Sequence, residues 1–385
     1  PSGSACSTAS RWSATPMSSL FAGLAAVSPG ALLMMAAGAL LIALAIAKRY
    51  EPLLLLPIGF GCLVANLPLH GMTADDGLLT LLHRVGIETE LLPLLIFVGV
   101  GAMLDFGPLL ARPSLLILGV AGQVGVFATL LLATAAGFSL RQAASIGVIG
   151  ALDGPTSIFV TVQLAPELLA PIAVAAYSYM SLVPLIQPPL MRALTTTAER
   201  RVRMEYTPRP VSRRARVLFP LVTTVLVGLA IPSATPLVAM LMLGNLLRES
   251  GVTERLARAA ENEIIDVSTL LLGLAIGATM EASHFLRLAT VQILALGLFA
   301  MVIDTVGGLL LGKLLCALGG RRINPLVGAA GISAFPMAAR LAAQVAQEDD
   351  PDNFLLMHAL GANAAGQVAS AVAGGALLGL VSQLP

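Results

Sequence analysis

The run Gly150-Ala151-Leu152-Asp153-Gly154-Pro155-Thr156-Ser157 breaks an apolar stretch of this chain with turn-forming and polar residues. A second break, Gly328-Ala329-Ala330-Gly331-Ile332-Ser333-Ala334-Phe335-Pro336, sits at the matching place in the other half. In lipid every backbone N–H and C=O needs a partner, so a broken helix survives only where protein or a water-filled cavity surrounds it. Paired breaks in corresponding halves point to an ion or substrate site near the bilayer midplane. The chain therefore reads as an all-α polytopic membrane protein.

Composition agrees. The chain is 57% hydrophobic and only 11% charged, and its mean hydropathy is +0.89, far from the mix of a soluble domain. Apolar stretches long enough to cross a bilayer recur from Ala31 onward. Cys6, Cys62 and Cys316 are scattered without metal spacing, and the four histidines form no ligand cluster. No Walker A or dinucleotide fingerprint is present, which argues against nucleotide hydrolysis. The basic run from Arg192 to Arg216 lacks aromatics in a stacking pattern, so no nucleic-acid partner is expected. Residues 1–16 differ in character and read as a disordered or non-native extension before Met17.

Working outward from the breaks, spans are expected near 31–47, 52–68, 91–104, 114–136 and 168–190, with a re-entrant hairpin at 142–164. The second half gives 217–231, 234–247, 264–281, 289–317 and 354–380, with a hairpin at 324–346. Gly101-Ala102-Met103-Leu104-Asp105 aligns with Gly277-Ala278-Thr279-Met280-Glu281 in the same order of elements. Five crossings plus one hairpin per half is an odd number, so the halves are expected to be inverted repeats. The organisation expected is repeat one over 17–191, a basic cytoplasmic linker over 192–216 and repeat two over 217–385. Positive charge supports this sidedness. Lys48, Arg49, Arg112, the run Arg192–Arg216, Arg248, Arg255, Arg258, Lys313, Arg321 and Arg322 fall inside, while Arg84, Arg141 and Arg287 fall outside. The first hairpin then enters from outside and the second from the cytoplasm, and their tips meet.

Particular motifs carry a resemblance. Glu51-Pro52-Leu53-Leu54-Leu55-Leu56-Pro57-Ile58-Gly59-Phe60-Gly61, Asp153-Gly154-Pro155-Thr156 and the stretch from Ala175 to Pro189 are similar to segments of the beta subunits of sodium-pumping, biotin-dependent decarboxylases. So are Gly331 to Arg340 and His358 to Gln367, and the likeness runs from about Glu51 to the C-terminus. Members serve oxaloacetate, methylmalonyl-CoA, glutaconyl-CoA or malonate decarboxylases. The resemblance implies a multi-pass protein of the bacterial inner membrane. It would take carboxybiotin from a biotin carrier and carboxyltransferase alpha subunit, release carbon dioxide, consume a proton and export sodium. A small membrane gamma subunit and further beta copies are implied as partners, beside membrane lipid. Oxaloacetate is the expected acid, with malonate or methylmalonyl-CoA as alternatives and a sodium-coupled carboxylate transporter as the rival class.

The resemblance also implies an essential aspartate in the DGPT motif, a tyrosine in the following helix, and Asn, Gly and Ser residues in the last helix. Carried onto this sequence, these are Asp153, Tyr179, Asn363, Gly366 and Ser370. Gln367 stands where the common pattern is apolar. Read from the residues themselves, Asp153 is an intramembrane carboxylate and so an ion-path candidate, although Asp-Gly-Pro would also suit a plain turn. Asn363, Ser370 and Ser333 offer the uncharged oxygens a hard cation accepts, or else polar glue between helices. Gly366 reads as a close-approach position beside that sodium site. The Tyr179 phenol is a proton-relay candidate or an interfacial belt residue. Arg340 is a candidate to hold the carboxybiotin carboxylate or simply to snorkel. Asp105 and Glu281 read as helix-end charges.

Overall fold

The computed structural model describes residues 22–48, 52–204, 211–285, 287–320, 322–334 and 336–383. The 1–16 extension lies outside the described residues, as do Arg49, Glu51, Arg209, Arg321 and Phe335 of the segments quoted above. All regular structure among the described residues is helical.

The principal helices, numbered in chain order, are α1 (Pro29–Lys48), α2 (Pro52–Ala65), α3 (Leu91–Met103) and α4 (Leu115–Ala135). The first hairpin is α5 (Leu140–Gly147) with a tight turn Val148–Ala151, then α6 (Gly154–Leu164). There follow α7 (Leu169–Leu194), α8 (Arg213–Ala230), α9 (Thr235–Ser250), α10 (Ile265–Ala278) and α11 (Leu288–Leu318). The second hairpin is α12 (Leu326–Ala329) and α13 (Met337–Asp349), and α14 (Leu356–Val381) closes the chain. Among the described residues five helices could cross a membrane by length and composition, six with the bent pair Leu78–Glu88 and Leu91–Met103 counted as one. All ten expected spans coincide with helices to within a few residues, although among the described residues four of them fall short of those criteria. The segment Leu78–Glu88, which meets α3 at 60°, was not expected, because its polar flanks hide it from a hydropathy reading.

Both broken segments fold back on themselves. At the open end of the first, Gln142 Nε2 donates to Glu167 at 3.0 Å. At the open end of the second, the amides of Asn324 and Asn353 both donate to the carbonyls of Arg200 and Val202, at 2.8–3.2 Å. The first hairpin runs directly into the start of α7, whereas the base of the second is tied to the far end of α7. There Lys313 Nζ donates to the Leu194 carbonyl, and Arg192 pairs with Glu348 at 2.8 Å. A 26-residue helix is roughly 39 Å long, so the two hairpins enter from opposite ends of the molecule.

Charge concentrates at that second base. Arg200 pairs with Asp349, Arg203 with Asp350 at 2.6 Å and Lys313 with Glu199 at 3.5 Å. The Arg203 guanidinium hydrogen-bonded to Asp350 holds its carboxyl below the usual carboxylate range. Pairs near the surface add little stability, so their main effect is to hold the described start of the linker against α13 and α11. The linker is also shorter as loop than expected, since α7 continues to Leu194 and α8 begins at Arg213, capped by the Ser212 hydroxyl.

Packing exchanges the halves. α2 packs chiefly on α1 and α10, and α9 packs chiefly on α8 and α3. A Cβ on Gly61 or Gly277 would stand 2.5 Å from the Leu274 carbonyl or 2.2 Å from that of Ile58. A Cβ on Gly244 or Gly101 would stand 1.9 Å from the Val98 or Leu241 carbonyl. Only residues without a side chain permit such contact. The carbonyls of the fourth residue in each aligned motif are treated alike: Asn66 donates to Met280 at 2.8 Å and Asn245 to Leu104 at 2.9 Å. Asp105 accepts from the Gly107 N–H at 2.8 Å, as a helix-end residue does.

Candidate functional site

The tips of the hairpins converge on the middle of α14. The first break is made by Leu152, whose φ of 52° is left-handed, followed by Asp153 in extended geometry at the start of α6. Pro155 then suits the first turn of that helix, where no N–H partner is needed. The turn leaves Asp153 buried, its Oδ2 accepting from Thr156 Oγ1 at 2.6 Å, Ser370 Oγ at 3.0 Å and Gln367 Nε2 at 3.3 Å. Every one of these donors is neutral. Asp153 stands at the N-cap position of α6 without a side-chain capping hydrogen bond, and its main partners are side chains.

The second tip lies one turn along α14. Ser333 Oγ donates to the Gly366 carbonyl at 3.0 Å, and Asn363 Nδ2 donates to the carbonyls of Ala330 and Ile332 at 3.0 and 2.6 Å. Those two carbonyls are freed by the break and can only accept, so they fix the amide with its nitrogen toward the hairpin. A Cβ on Gly366 would stand 2.0 Å from the Gly331 carbonyl, which explains glycine at this crossing. Asn363, Gly366, Gln367 and Ser370 are spaced to share one helix face.

Three amide oxygens in this cluster have no hydrogen-bond partner among the described residues: those of Asn363, Gln367 and Gln123. All three residues are buried. Gln123 lies at the interruption of α4 between Ala121 and Val124 and reaches the Gly366 carbonyl at 3.5 Å. Buried acceptors left unpaired are costly. A carboxylate and several amide oxygens form the donor set that a desolvated hard cation accepts.

Asp153, Asn363, Gly366, Ser370 and Ser333 come together as one cluster. Tyr179 does not join it by any hydrogen bond described: its hydroxyl donates to the Leu294 carbonyl of α11. The tyrosine nearer the break is Tyr177, whose ring would meet a Cβ on Gly154 at 2.1 Å. Arg340 is exposed near the start of α13, apart from the buried cluster. Thr156 and Gln123 were not singled out from sequence. Gln123 could have been found as the one amide side chain inside a long apolar run, flanked by Gly122. The same signal marks Asp304 in Met301-Val302-Ile303-Asp304, another buried acid.

Comparison with known proteins addresses the remaining question of class. Residues 30–381 match the family model described as Na+-transporting oxaloacetate decarboxylase beta subunit. The chain belongs to this family. It is 52% identical over 360 residues to the methylmalonyl-CoA decarboxylase subunit beta of Veillonella parvula, covering 94% of this chain and 95% of the relative. Identity to the glutaconyl-CoA decarboxylase subunit beta of Acidaminococcus fermentans is 51% over 359 residues, with 93% and 95% covered. To the oxaloacetate decarboxylase beta chain 2 of Salmonella typhi it is 46% over 417 residues, with 92% and 96% covered. The resemblance stated from sequence motifs thus holds over nearly the whole chain. Membership makes the protein a multi-pass membrane subunit of a sodium-translocating decarboxylase, an enzyme assembled from several subunits and dependent on biotin.

Proposed function

We propose that this chain removes carbon dioxide from carboxybiotin presented by a soluble partner and couples that step to sodium export. The observation that carries the reading is the meeting of two hairpins, entering from opposite ends, on one helix face that bears a buried carboxylate contact and, along the same crossing, unpartnered amide oxygens. Asp153 supplies the negative charge for sodium, and the oxygens of Asn363, Gln367, Gln123, Ser370 and Ser333 replace its water. Gly366 lets the second hairpin approach closely enough to complete the shell. Exposed Arg340, on the hairpin that enters beside the basic linker, meets the carboxybiotin carboxylate from the cytoplasm. As the N–carboxyl bond of carboxybiotin breaks, its electron pair stays on the ring nitrogen, which then takes a proton. Tyr179 would relay that proton once its hydroxyl leaves the Leu294 carbonyl. A carboxylate that can hold either sodium or a proton, but not both, is the simplest physical coupling between the two.

The same reading makes the halves, 17–191 and 217–385, inverted repeats joined by the cytoplasmic linker. Their exchanged packing, α2 on α10 and α3 on α9, supports it. The core of α4, α7, α11, α14 and both hairpins would shift against the outer helices to open the site to either side. The assembly lies in the bacterial inner membrane, with alpha and gamma subunits and further copies of this chain. The acid is selected by the soluble partner, in keeping with near-equal identities to relatives named for three different acids.

Two measurements test this. Asn363→Ala in the reconstituted complex is expected to raise the sodium concentration for half-maximal decarboxylation roughly tenfold, with turnover recovering at high sodium. An unchanged sodium dependence would remove Asn363 from the site. Single cysteines at positions 141 and 166 are both expected to react with an impermeant reagent from the outside only. Opposite sidedness of the two would end the hairpin topology.

A further inference from the structure

Asp304 lies near the middle of α11 with its side chain fully buried. One carboxyl oxygen accepts from the Gly125 N–H, just beyond the interruption of α4. The other has no hydrogen-bond partner among the described residues. That second oxygen is 2.9 Å from where a Cβ on Gly150 would stand, so the acid rests on the bare backbone of the first hairpin, three residues before Asp153.

Among the described residues no compensating cation faces it. α4 and α12 contain no titratable residue. On the first hairpin Arg141 is at the far, open end, and Asp153 is occupied by Thr156, Gln367 and Ser370. On α7, Tyr179 bonds Leu294, ten residues or roughly 15 Å along α11 from Asp304. Tyr177 lies against Gly154, and Arg192 pairs with Glu348. On α11 itself, Lys313 is bonded to the Leu194 carbonyl, and Cys316 lies further along. An ionised carboxylate here would be an isolated charge at membrane depth, which is disfavoured. The pocket fits a proton.

We propose that Asp304 is a second proton-binding site of the transport cycle, kept protonated while the first hairpin is seated on α11. When Gly150 separates from α11, water reaches the free oxygen, the O–H bond breaks and the proton passes to water. The carboxylate that remains is held by the Gly125 N–H. Reseating the hairpin then requires a proton to be taken up, so hairpin position and proton occupancy are linked. This rests on the reading of Asp153 as the sodium carboxylate only in that both groups serve one cycle.

The test uses the assembled decarboxylase complex with Asp304→Asn, which keeps the size and an acceptor for Gly125 but stays neutral. Sodium binding, read as sodium protection of a hairpin-tip cysteine from alkylation, is expected to stay within about twofold of the parent. Turnover is expected to fall at least about tenfold, and its pH profile to lose one ionisation. A parental pH profile would overturn the proposal, and so would loss of sodium protection, which would place Asp304 in the sodium site instead. Infrared difference spectra of the unmodified complex, with and without sodium, give an independent measure that does not rely on the variant folding. Two protonated-carboxyl bands are expected, one of which vanishes in Asp153→Asn. A single band that vanishes there would refute a role for Asp304 while leaving Asp153 intact.

Discussion

Asp153→Asn is expected to abolish sodium-dependent decarboxylation, by at least about a hundredfold, in a complex that still assembles. Asparagine keeps the size of the side chain and one acceptor oxygen, so Ser370 and Thr156 retain a partner. It also suits a turn as well as aspartate does. What it lacks is the ability to carry negative charge or to bind a proton, the two properties the proposed coupling needs. The measurement is decarboxylation rate and sodium uptake into vesicles, against sodium concentration, with assembly checked by co-purification of the partner subunits. Near-parental turnover would reduce Asp153 to a structural turn residue and remove the basis for exchange at this carboxylate.

The second large effect is expected from Gly366→Ala. The added methyl would lie 2.0 Å from the Gly331 carbonyl, a distance no Cβ tolerates, and both partners are backbone. Either α14 or the tip of the second hairpin must move, and the hydrogen bonds of Ser333 and Asn363 to that crossing go with it. Activity is expected to fall by at least about a hundredfold, with no recovery at high sodium, because a displaced hairpin cannot be compensated by mass action. This contrasts with the sodium-rescuable loss expected for Asn363→Ala. Recovery of Gly366→Ala at high sodium would show that the tip adapts and that the close crossing is not required.

Much of this architecture is legible in the sequence because the bilayer imposes a simple rule. Long apolar runs became α1, α7, α11 and α14 with little change in their bounds, and the two interruptions became the two hairpins. Asp153, Asn363 and Ser333 could be found for the same reason, as polar residues where lipid would forbid them. The interruption of α4 at Gly122-Gln123 escaped notice, since one glutamine beside one glycine barely lowers the hydropathy of a long run. The direction of the Tyr179 hydroxyl was not legible either, because it depends on which carbonyl of a distant helix lies opposite. Similarly, the three orphaned amide oxygens are a property of three-dimensional placement, invisible in the order of residues.

The exchanged packing of the outer helices has a consequence for how the protein is made. Asn66 and Met280, which meet where α2 crosses α10, are 214 residues apart. At a synthesis rate of about 5–20 residues per second, α2 waits roughly 10–40 s after its insertion before its glycine-lined partner leaves the ribosome. During that interval the Gly61 face of α2 and the Gly101 face of α3 have no native neighbour to close against. Neither half is therefore a self-sufficient folding unit. A nascent chain arrested before α9 should sit in the bilayer as loosely associated helices, open to capture by chaperones or membrane proteases, and should become protease-resistant only once α10 has joined.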